Sequence, residues 1–292
     1  MDGIIIIDKE KEYTSNDVVA IVKKITQEKV GHTGTLDPNA TGVLPLLVGQ
    51  ATKFSKYLMQ HDKVYEATLK LGIRTDTADI WGEIIEEKTS KELIQKEQIE
   101  KVLTSFIGKR KQIPPMYSAI KVNGKKLYEY ARKKQEVTLE SREVEIYQIL
   151  LQNWKQEENE ITFRVSCSKG TYIRTLCEEI ATALGTIGTM SALRRIQVGE
   201  FTLEKAVCIS QIKEDTQAKK HLEESCISLE DILKRFPSIT VSQHEIPLLL
   251  NGVKIEKAVA DGVYQVQKET GEPIGTAIVQ KGKVKRDIMI AS

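Results

Sequence analysis

The sequence feature that most constrains this fold is a stretch at residues 31–45 that is dense in glycine and proline. It reads GHTGTLDPNATGVLP and lies between two apolar segments. Glycine permits backbone conformations that other residues avoid, and proline fixes φ. Because the stretch lacks the Ser, Lys and Glu bias of a disordered linker, it predicts an ordered, sharply bent loop. One carboxylate, Asp37, lies in its middle. From these residues alone, Asp37 is a candidate helix N-cap, with Pro38 at the first helical position.

Length and charge narrow the class of protein. A chain of 292 residues has room for one large domain and a small one. The net charge of +2 is too small to indicate a nucleic-acid-binding protein, so the distribution of charge must decide that question. The isoleucine run at 4–7 has no basic leader and predicts a buried strand, not a signal peptide or a membrane span. The four cysteines and four histidines show no zinc spacing, which predicts free thiols in a cytoplasmic protein without a metal site.

The spacing of apolar residues predicts an α+β protein. Strands are expected at 4–8, 64–71 and 161–166, and helices at 17–26, 51–58, 92–107 and 175–184. From about residue 235, short β-prone runs alternate with Gly and Pro turns. The sequence therefore predicts a large domain at 1–234 and a small, mostly β domain at 235–292.

Five motifs in order carry a resemblance to a known family. The 31–45 stretch resembles the catalytic loop of the TruB family of tRNA pseudouridine synthases, in which the loop surrounds a nucleophilic aspartate. The opening motif, Asp8-Lys9 followed by 14–17, is similar to that of the family, and so are the segments 63–67, 114–121 and 169–176. The order and spacing fit from near residue 3 to near residue 200. One departure is Glu10, which stands where the family usually has proline.

The resemblance implies a fold and an activity. The fold is the α+β pseudouridine synthase fold, with a large mixed, mainly antiparallel sheet, a basic RNA-contacting insertion at about 109–142 and a C-terminal PUA-like RNA-binding domain. The activity is isomerisation of uridine 55 in the T-loop of tRNA to pseudouridine, by an aspartate nucleophile and base flipping. Because this reaction is redox-neutral and keeps every atom of the substrate, no cofactor or metal is expected. The T-arm of tRNA is the implied partner of a cytoplasmic monomer that needs neither a membrane nor an obligate protein partner.

Three residues match catalytic positions of the family. Asp37 matches the nucleophile, and a carboxylate suits a nucleophile that must leave again. Arg174 matches the arginine that pairs with it; the alternative is an arginine that neutralises RNA phosphate. Tyr65 matches the active-site tyrosine, whose ring can stack on the extruded uracil and whose hydroxyl is expected near the base for proton removal from C5. A half-buried strand tyrosine is the alternative for Tyr65.

Three further residues match substrate-binding positions. His32 matches a ring that fills the space vacated by the flipped base, although a histidine bonded within its own loop is the alternative. Lys9 either steadies the opening loop or contacts RNA. Leu193 is a candidate wall of the uracil pocket, with a plain core leucine as the competing interpretation.

A basic segment supplies a candidate RNA surface. Residues 109–142 hold ten Lys or Arg and three Asp or Glu, interleaved with tyrosines. Cations bind phosphate and aromatic rings stack on unpaired bases, so Lys125, Lys126, Lys133 and Lys134 are predicted to bind tRNA. A solvated helix face is the competing interpretation.

Three other functions remain open at this point. The first is an RNA-binding or tRNA-folding protein whose chemistry is incidental. The second is a metal-dependent hydrolase built on Asp76 and Asp79. The third is a pseudouridine synthase of a guide-RNA particle, although nothing in the sequence indicates the extensions that protein partners would need.

Overall fold

The computed structural model describes residues 1–88, 94–118, 120–122, 124–133, 135, 137 and 139–290. The strands are β1 (Gly3–Lys9), β2 (Val30–His32), β3 (Thr41–Val48), β4 (Lys63–Leu71), β5 (Ile73–Thr75), β6 (Ile84–Glu87), β7 (Gly108–Gln112), β8 (Lys121–Val122), β9 (Lys125–Lys126), β10 (Arg142–Lys155), β11 (Glu160–Cys167), β12 (Gly188–Val198), β13 (Phe201–Thr202), β14 (Val207–Cys208), β15 (Ile227–Ser228), β16 (Ser238–Val241), β17 (Ile255–Glu256), β18 (Gly262–Lys268), β19 (Pro273–Gln280) and β20 (Lys283–Met289).

The α-helices of the described residues are fewer than the strands. They are α1 (Ser15–Thr26), α2 (Ser55–Leu58), α3 (Lys96–Thr104), α4 (Leu127–Arg132), α5 (Ile173–Ala183), α6 (Ile209–Lys213), α7 (Ala218–Glu224), α8 (Leu229–Leu233) and α9 (Glu245–Leu250). Two 3-10 segments occupy Gly49–Phe54 and Leu203–Lys205. Among the described residues, each helix is too short or too polar to cross a lipid bilayer.

The main sheet organises the first 230 residues. Its order is β14-β1-β3-β12-β4-β11-β10-β7, with β13, β15 and β2 paired to its members. The β1–β14 and β3–β12 pairs are parallel, whereas the other pairs are antiparallel. The predicted large, mixed and mainly antiparallel sheet is therefore confirmed.

Apolar residues cover the main sheet on both faces. Along β1, Ile5 and Ile7 belong to one core cluster, which packs against α1, α3, α5, α6 and α7. Ile4 and Ile6 belong to a second cluster, which packs against α2 and α8. Because successive side chains of a strand point to opposite faces, the four-isoleucine run fits a central strand that is buried on both sides.

The three predicted strands and three of the four predicted helices are confirmed in type, with shifted ends. Helix α1 begins at Ser15, because Thr14 caps it: Thr14 Oγ1 accepts from Asp17 N at 3.1 Å, and the Asp17 carboxylate accepts from Thr14 N at 2.8 Å. The helix predicted at 92–107 is α3, which spans Lys96–Thr104; residues 92 and 93 of the prediction lie outside the described residues. The segment predicted as a helix at 51–58 is split between a 3-10 segment and α2.

A second sheet forms the C-terminal part of the chain. Its order is β16-β18-β19-β20-β17, and it has its own apolar core of residues from Ile239 to Val284. The β16–β18 pair is parallel and the other pairs are antiparallel. This sheet confirms the expectation of a C-terminal β unit, and its first strand begins at Ser238.

Candidate active site

A cleft of about 590 Å³ opens beside the main sheet where the loop after β2 meets the first turn of α5. Asp37, Tyr65, Leu193 and Arg174 all line it. The structure therefore brings together four residues that the sequence placed far apart. Other residues on its wall include Lys63, Ser118, Tyr172 and Arg195.

Buried side chains hold the backbone of the loop on both sides of Asp37. Ser15 Oγ accepts from Leu36 N at 2.9 Å and donates to Leu36 O at 3.1 Å. Lys9 Nζ donates to Pro38 O at 2.9 Å, and Arg195 Nη2 donates to Gly34 O at 3.0 Å. These contacts fix the backbone that carries Asp37.

The loop ends in a turn and not in a helix. Ala40 N donates to Asp37 O at 3.0 Å, and β3 begins at the next residue. The interpretation of Asp37 as a helix N-cap is therefore wrong. Gly42 then passes so close to β12 that a Cβ there would lie 2.1 Å from Arg195 O, and its φ is +105°. Only glycine fits this crossing without strain.

Arg174 joins the loop to two other segments. Its Nε lies 3.1 Å from Asp37 Oδ2, while its Nη1 donates to Thr77 O at 3.0 Å and its Nη2 donates to Tyr117 O at 2.8 Å. The arginine is 6% exposed, whereas the side chain of Asp37 is 41% exposed. The guanidinium is thus fixed by carbonyl oxygens, and one edge is presented to a carboxylate that remains open to the cleft.

The Asp76 to Asp79 segment is a turn that contacts Arg174. Asp79 Oδ1 accepts from Thr77 Oγ1 at 2.9 Å, and Asp76 Oδ1 accepts from Glu83 N at 2.8 Å. Asp79 Oδ2 lies 3.9 Å from Arg174 Nη1, and burial raises the pKa of the Asp79 carboxyl. These contacts support the turn and not a hydrolase centre. Within the described parts of the chain, no group of three possible metal ligands is found.

Tyr65 lies beside Arg195, a buried arginine of the neighbouring strand β12. It pairs in register with Arg195 of the neighbouring strand, and the two side chains are hydrogen-bonded. Arg195 is 2% exposed and also donates from Nε to Val43 O at 2.8 Å. Burial raises the pKa of the Tyr65 hydroxyl, and the adjacent guanidinium works in the opposite direction. Arg195 therefore fixes the ring and bears on the acidity of its hydroxyl.

A lysine lies on the same strand as Tyr65. Lys63 is 8% exposed, lines the cleft and donates from Nζ to His61 O. Burial, assisted by the charge of Arg195, lowers the pKa of Lys63 to about 8. Lys63 is thus a cation on the cleft wall whose charge varies near neutral pH.

Lys9 and His32 lie behind the cleft wall. Lys9 is fully buried and donates to Tyr13 O at 2.6 Å and Glu10 O at 3.0 Å, in addition to Pro38 O. This position favours the interpretation in which Lys9 holds the loop. His32 lies in β2, one residue before the lining residue Thr33, and burial lowers its pKa. Its Nδ1 has no hydrogen-bond partner among the described residues, so bonding of Nδ1 within its own loop is not seen.

The departure at Glu10 has a local explanation. Its Oε2 accepts from Ser210 N at 2.8 Å, in the first turn of α6. Glutamate at this position therefore links the opening motif to the α6 segment, a hydrogen bond that proline cannot make.

Some cations of the basic segment at 109–142 form ion pairs within the protein, and others lie at exposed positions. Lys109 and Arg110 pair with Glu143 and Glu179 at 3.6 and 3.2 Å, so neighbouring carboxylates offset part of their charge. Lys133 is an exposed turn residue. Lys125 and Lys126 form β9, of which the backbone alone is described, and Lys134 lies outside the described residues.

Comparison with known proteins agrees with the order of the motifs. The family model described as TruB family pseudouridylate synthase, N-terminal domain, matches residues 22–173. A second model, the tRNA pseudouridylate synthase B C-terminal domain, matches 174–236. The chain belongs to the TruB family of pseudouridylate synthases. As a member of that family it is an isomerase.

Relatives within the TruB family cover nearly all of the chain. A tRNA pseudouridine synthase B from Clostridium perfringens is 45% identical over 284 residues, which is 94% of each protein. One from Bacillus cereus is 43% identical over 258 residues, covering 87% of this chain and 84% of the relative.

Solved structures share the fold at lower identity. An H/ACA RNP bound to a substrate RNA containing 2′-deoxyuridine includes a chain with a TM-score of 0.71 and 22% identity, covering 99% of this chain and 85% of that one. A Cbf5-Nop10-Gar1 complex gives 0.71 and 24%, with coverages of 99% and 84%. These likenesses confirm the pseudouridine synthase fold.

Proposed function

We propose that this enzyme converts uridine 55 in the T-loop of tRNA to pseudouridine, with Asp37 as nucleophile and the target base flipped into the cleft. The observation that carries the proposal is the Asp37–Arg174 pair at 3.1 Å on the cleft wall, beside Tyr65. The names of the Clostridium and Bacillus relatives support tRNA as the substrate.

The exposure of the pair fits a flipped-base mechanism. In the free protein, the Asp37 carboxylate is open to water on one side and bonded to Arg174 on the other. A base that enters the cleft removes that water, and desolvation penalises a carboxylate. Arg174, already fixed by Thr77 O and Tyr117 O, supplies the compensating charge without rearrangement.

The reaction needs a bond that forms and then breaks. The Asp37 carboxylate attacks the flipped nucleotide, at C6 of uracil or at C1′ of ribose. The N1–C1′ bond breaks, the uracil turns and C5 joins C1′. The C5 hydrogen leaves as a proton, N1 gains one, and Asp37 is released unchanged. Because no electrons are gained or lost, the proposal includes neither a cofactor nor a metal.

The other residues are assigned by position. Tyr65 stacks on the uracil and lies near the C5 proton, while Arg195 holds its hydroxyl. Leu193 forms part of the pocket wall. Lys9 holds the catalytic loop from behind, and the ring of His32 supports the RNA at the position from which the base has left.

A broader RNA surface completes the proposal. Lys125, Lys126, Lys133 and Lys134 bind the T-arm. The C-terminal β unit acts as a PUA-like RNA-binding domain, whose basic end is formed by Lys281, Lys283, Lys285 and Arg286. The enzyme acts in the cytoplasm as a monomer, without an obligate protein partner.

The test is conversion of a T-arm hairpin labelled with tritium at C5 of the target uridine. Because the C5 hydrogen must leave, released tritium measures turnover. We expect release from the T-arm hairpin and none when the label is on another loop uridine. Absence of release from the target position in both hairpin and full tRNA would overturn the proposal.

Asp37→Asn is the matched variant for this assay. The amide keeps the shape of the side chain but removes the nucleophilic charge. We expect turnover to fall by several orders of magnitude while RNA affinity stays within about two-fold, because phosphate contacts lie elsewhere. Turnover close to that of the wild type would exclude Asp37 as the nucleophile.

A further inference from the structure

Ser118 carries a buried hydroxyl on the cleft wall. The residue is 6% exposed and lines the cleft together with Asp37 and Tyr65. Its Oγ has no hydrogen-bond partner in the part of the chain that the structure describes. Buried polar side chains are nearly always hydrogen-bonded, and because this hydroxyl belongs to a residue of the cleft wall, a ligand in the cleft is its candidate partner.

The position of Ser118 relative to the catalytic pair is fixed by Arg174. Arg174 Nη2 donates to Tyr117 O at 2.8 Å, and Nε of the same guanidinium lies 3.1 Å from Asp37 Oδ2. Ser118 is the next residue after Tyr117, and its own N donates to Met116 O at 3.0 Å. The hydroxyl is therefore attached to backbone that is tied directly to the group holding Asp37.

We propose that Ser118 Oγ hydrogen-bonds the target nucleotide and holds it against Asp37. This inference rests on the proposed function. A hydroxyl both donates and accepts, so it can pair with a carbonyl oxygen or N3–H of uracil, and equally with the ribose 2′-hydroxyl. The shared chemistry is one polar group of the flipped nucleotide, and the choice between base and ribose is a matter for experiment.

Another buried serine shows how a structural role would differ. Ser15 is 2% exposed, and its Oγ makes two hydrogen bonds to the backbone of Leu36. Removing that hydroxyl leaves two buried backbone groups unpaired. Removing the hydroxyl of Ser118 leaves no described group unpaired, so the free protein should lose no stability.

The experiment compares Ser118→Ala with its parent in binding three T-arm hairpins. Both proteins also carry Asp37→Asn, so that affinity is measured without turnover. The hairpins carry uridine, 2′-deoxyuridine or an abasic ribonucleotide at the target position. We expect Ser118→Ala to weaken binding of the uridine hairpin about three- to ten-fold, the effect of one neutral hydrogen bond.

The modified hairpins identify the bonded group. If the base is bonded, the loss of affinity persists with 2′-deoxyuridine and disappears with the abasic hairpin. If the 2′-hydroxyl is bonded, the loss of affinity disappears with 2′-deoxyuridine and persists with the abasic hairpin. A loss that persists with both hairpins places the contact on neither the base nor the 2′-hydroxyl and overturns the inference, as does equal affinity of the two proteins for the uridine hairpin.

Two matched controls separate binding from folding. Thr186 is 7% exposed with an unpartnered Oγ1, and it lies outside the cleft lining. Thr186→Val should therefore leave RNA affinity unchanged. For the free proteins, Ser118→Ala should keep or raise the melting temperature, whereas Ser15→Ala should lower it. A fall for Ser118→Ala as large as that for Ser15→Ala would show a structural hydroxyl.

Turnover of the wild-type chain keeps the two proposals apart. If the wild type releases no tritium from the T-arm hairpin, the proposed function has failed. If the wild type turns over normally and Ser118→Ala has the same single-turnover rate and affinity, only the role of Ser118 has failed.

Discussion

Three buried cations contact the loop around Asp37, and their partners differ. Lys9 and Arg195 are directed at carbonyl oxygens of the loop and of neighbouring backbone. Of these three cations, Arg174 is the one that forms an ion pair with Asp37, at 3.1 Å. A carbonyl oxygen carries a partial charge and cannot change its protonation. Lys9 and Arg195 therefore stabilise the conformation of the loop, whereas Arg174 stabilises the negative charge of the Asp37 carboxylate.

The two proposed roles of Tyr65 can be separated by substitution. Tyr65→Phe keeps the ring and removes the hydroxyl that Arg195 holds, whereas Tyr65→Leu removes both. If Tyr65 only stacks, the Phe variant should turn over and the Leu variant should not. If its hydroxyl also takes part in proton transfer, the Phe variant should bind the T-arm hairpin normally and lose about 10²–10⁴-fold in single-turnover rate. Normal turnover of both variants would make Tyr65 a core residue only.

At the scale of elements, the spacing of apolar residues and the capping residues predicted the type of each helix and strand better than its first and last residues. The isoleucine run at 4–7 correctly predicted strand β1, because a central strand of a sheet that is covered on both faces buries all four side chains. The helix predicted at 92–107 was too long, since α3 spans Lys96–Thr104 and β7 follows from Gly108. The end of a helix depends on what packs against its last turn, which local sequence does not encode.

In the candidate site, too, some features could be predicted from the sequence and others could not. Asp37, Tyr65 and Arg174 were identified through the resemblance, and Arg195 was missed. Strand alternation could have found it, because Leu193 and Arg195 share a face of β12. The contacts of Arg174 with Thr77 and Tyr117 could not be predicted, since they join residues 97 and 57 positions apart.

The basic segment around α4 supports a prediction about salt dependence. Neutralising Lys125, Lys126, Lys133 and Lys134 together should weaken tRNA binding. Each lost phosphate contact should reduce the slope of log affinity against log salt by about one unit. Single-turnover rates at saturating RNA should change much less. Salt titrations of the wild type and the quadruple variant measure both effects.

Neutralising lysines elsewhere gives the control. Lys219 and Lys220 lie on α7, which packs on the helical face of the main sheet. Their substitution by glutamine should leave the salt slope unchanged. Coincident titration lines for the wild type and the quadruple variant would show that the four lysines form only a solvated face.

At the scale of the whole molecule, the C-terminal sheet is attached through β20. Lys56 and the Tyr57 hydroxyl both donate to the Asp287 carboxylate, and Lys53 Nζ donates to Met289 O at 3.0 Å. Ile288 packs into the second core cluster of the main sheet. The small sheet is therefore held against the region around α2 by a charged contact and an apolar one.

Asp287→Asn tests this attachment. Losing the charge should lower the free energy of unfolding by about 1–3 kcal/mol, because the partners of a buried carboxylate lose charge-assisted bonds. Affinity for full-length tRNA should fall, while turnover of the short T-arm hairpin should not. Asp261→Asn is the control, since Asp261 accepts from Lys281 N, a contact between two loops of the C-terminal β unit itself. Equal loss of hairpin turnover and tRNA affinity would contradict separate binding surfaces.

We expect the buried amine of Lys63 to couple RNA binding to the proton concentration of the solution. Its pKa of about 8 in the free protein rises when a polyanion approaches, so binding at pH 8 should take up protons. Affinity should then fall as the pH increases through 8. Titration calorimetry in Tris and in phosphate should give different binding heats, because the buffer supplies the proton, and Lys63→Met should reduce the difference. Identical heats in both buffers would show that Lys63 keeps one protonation state throughout. If the heats differ and Lys63→Met removes the difference, the affinity of this enzyme for RNA falls in alkaline solution through a residue of the cleft wall.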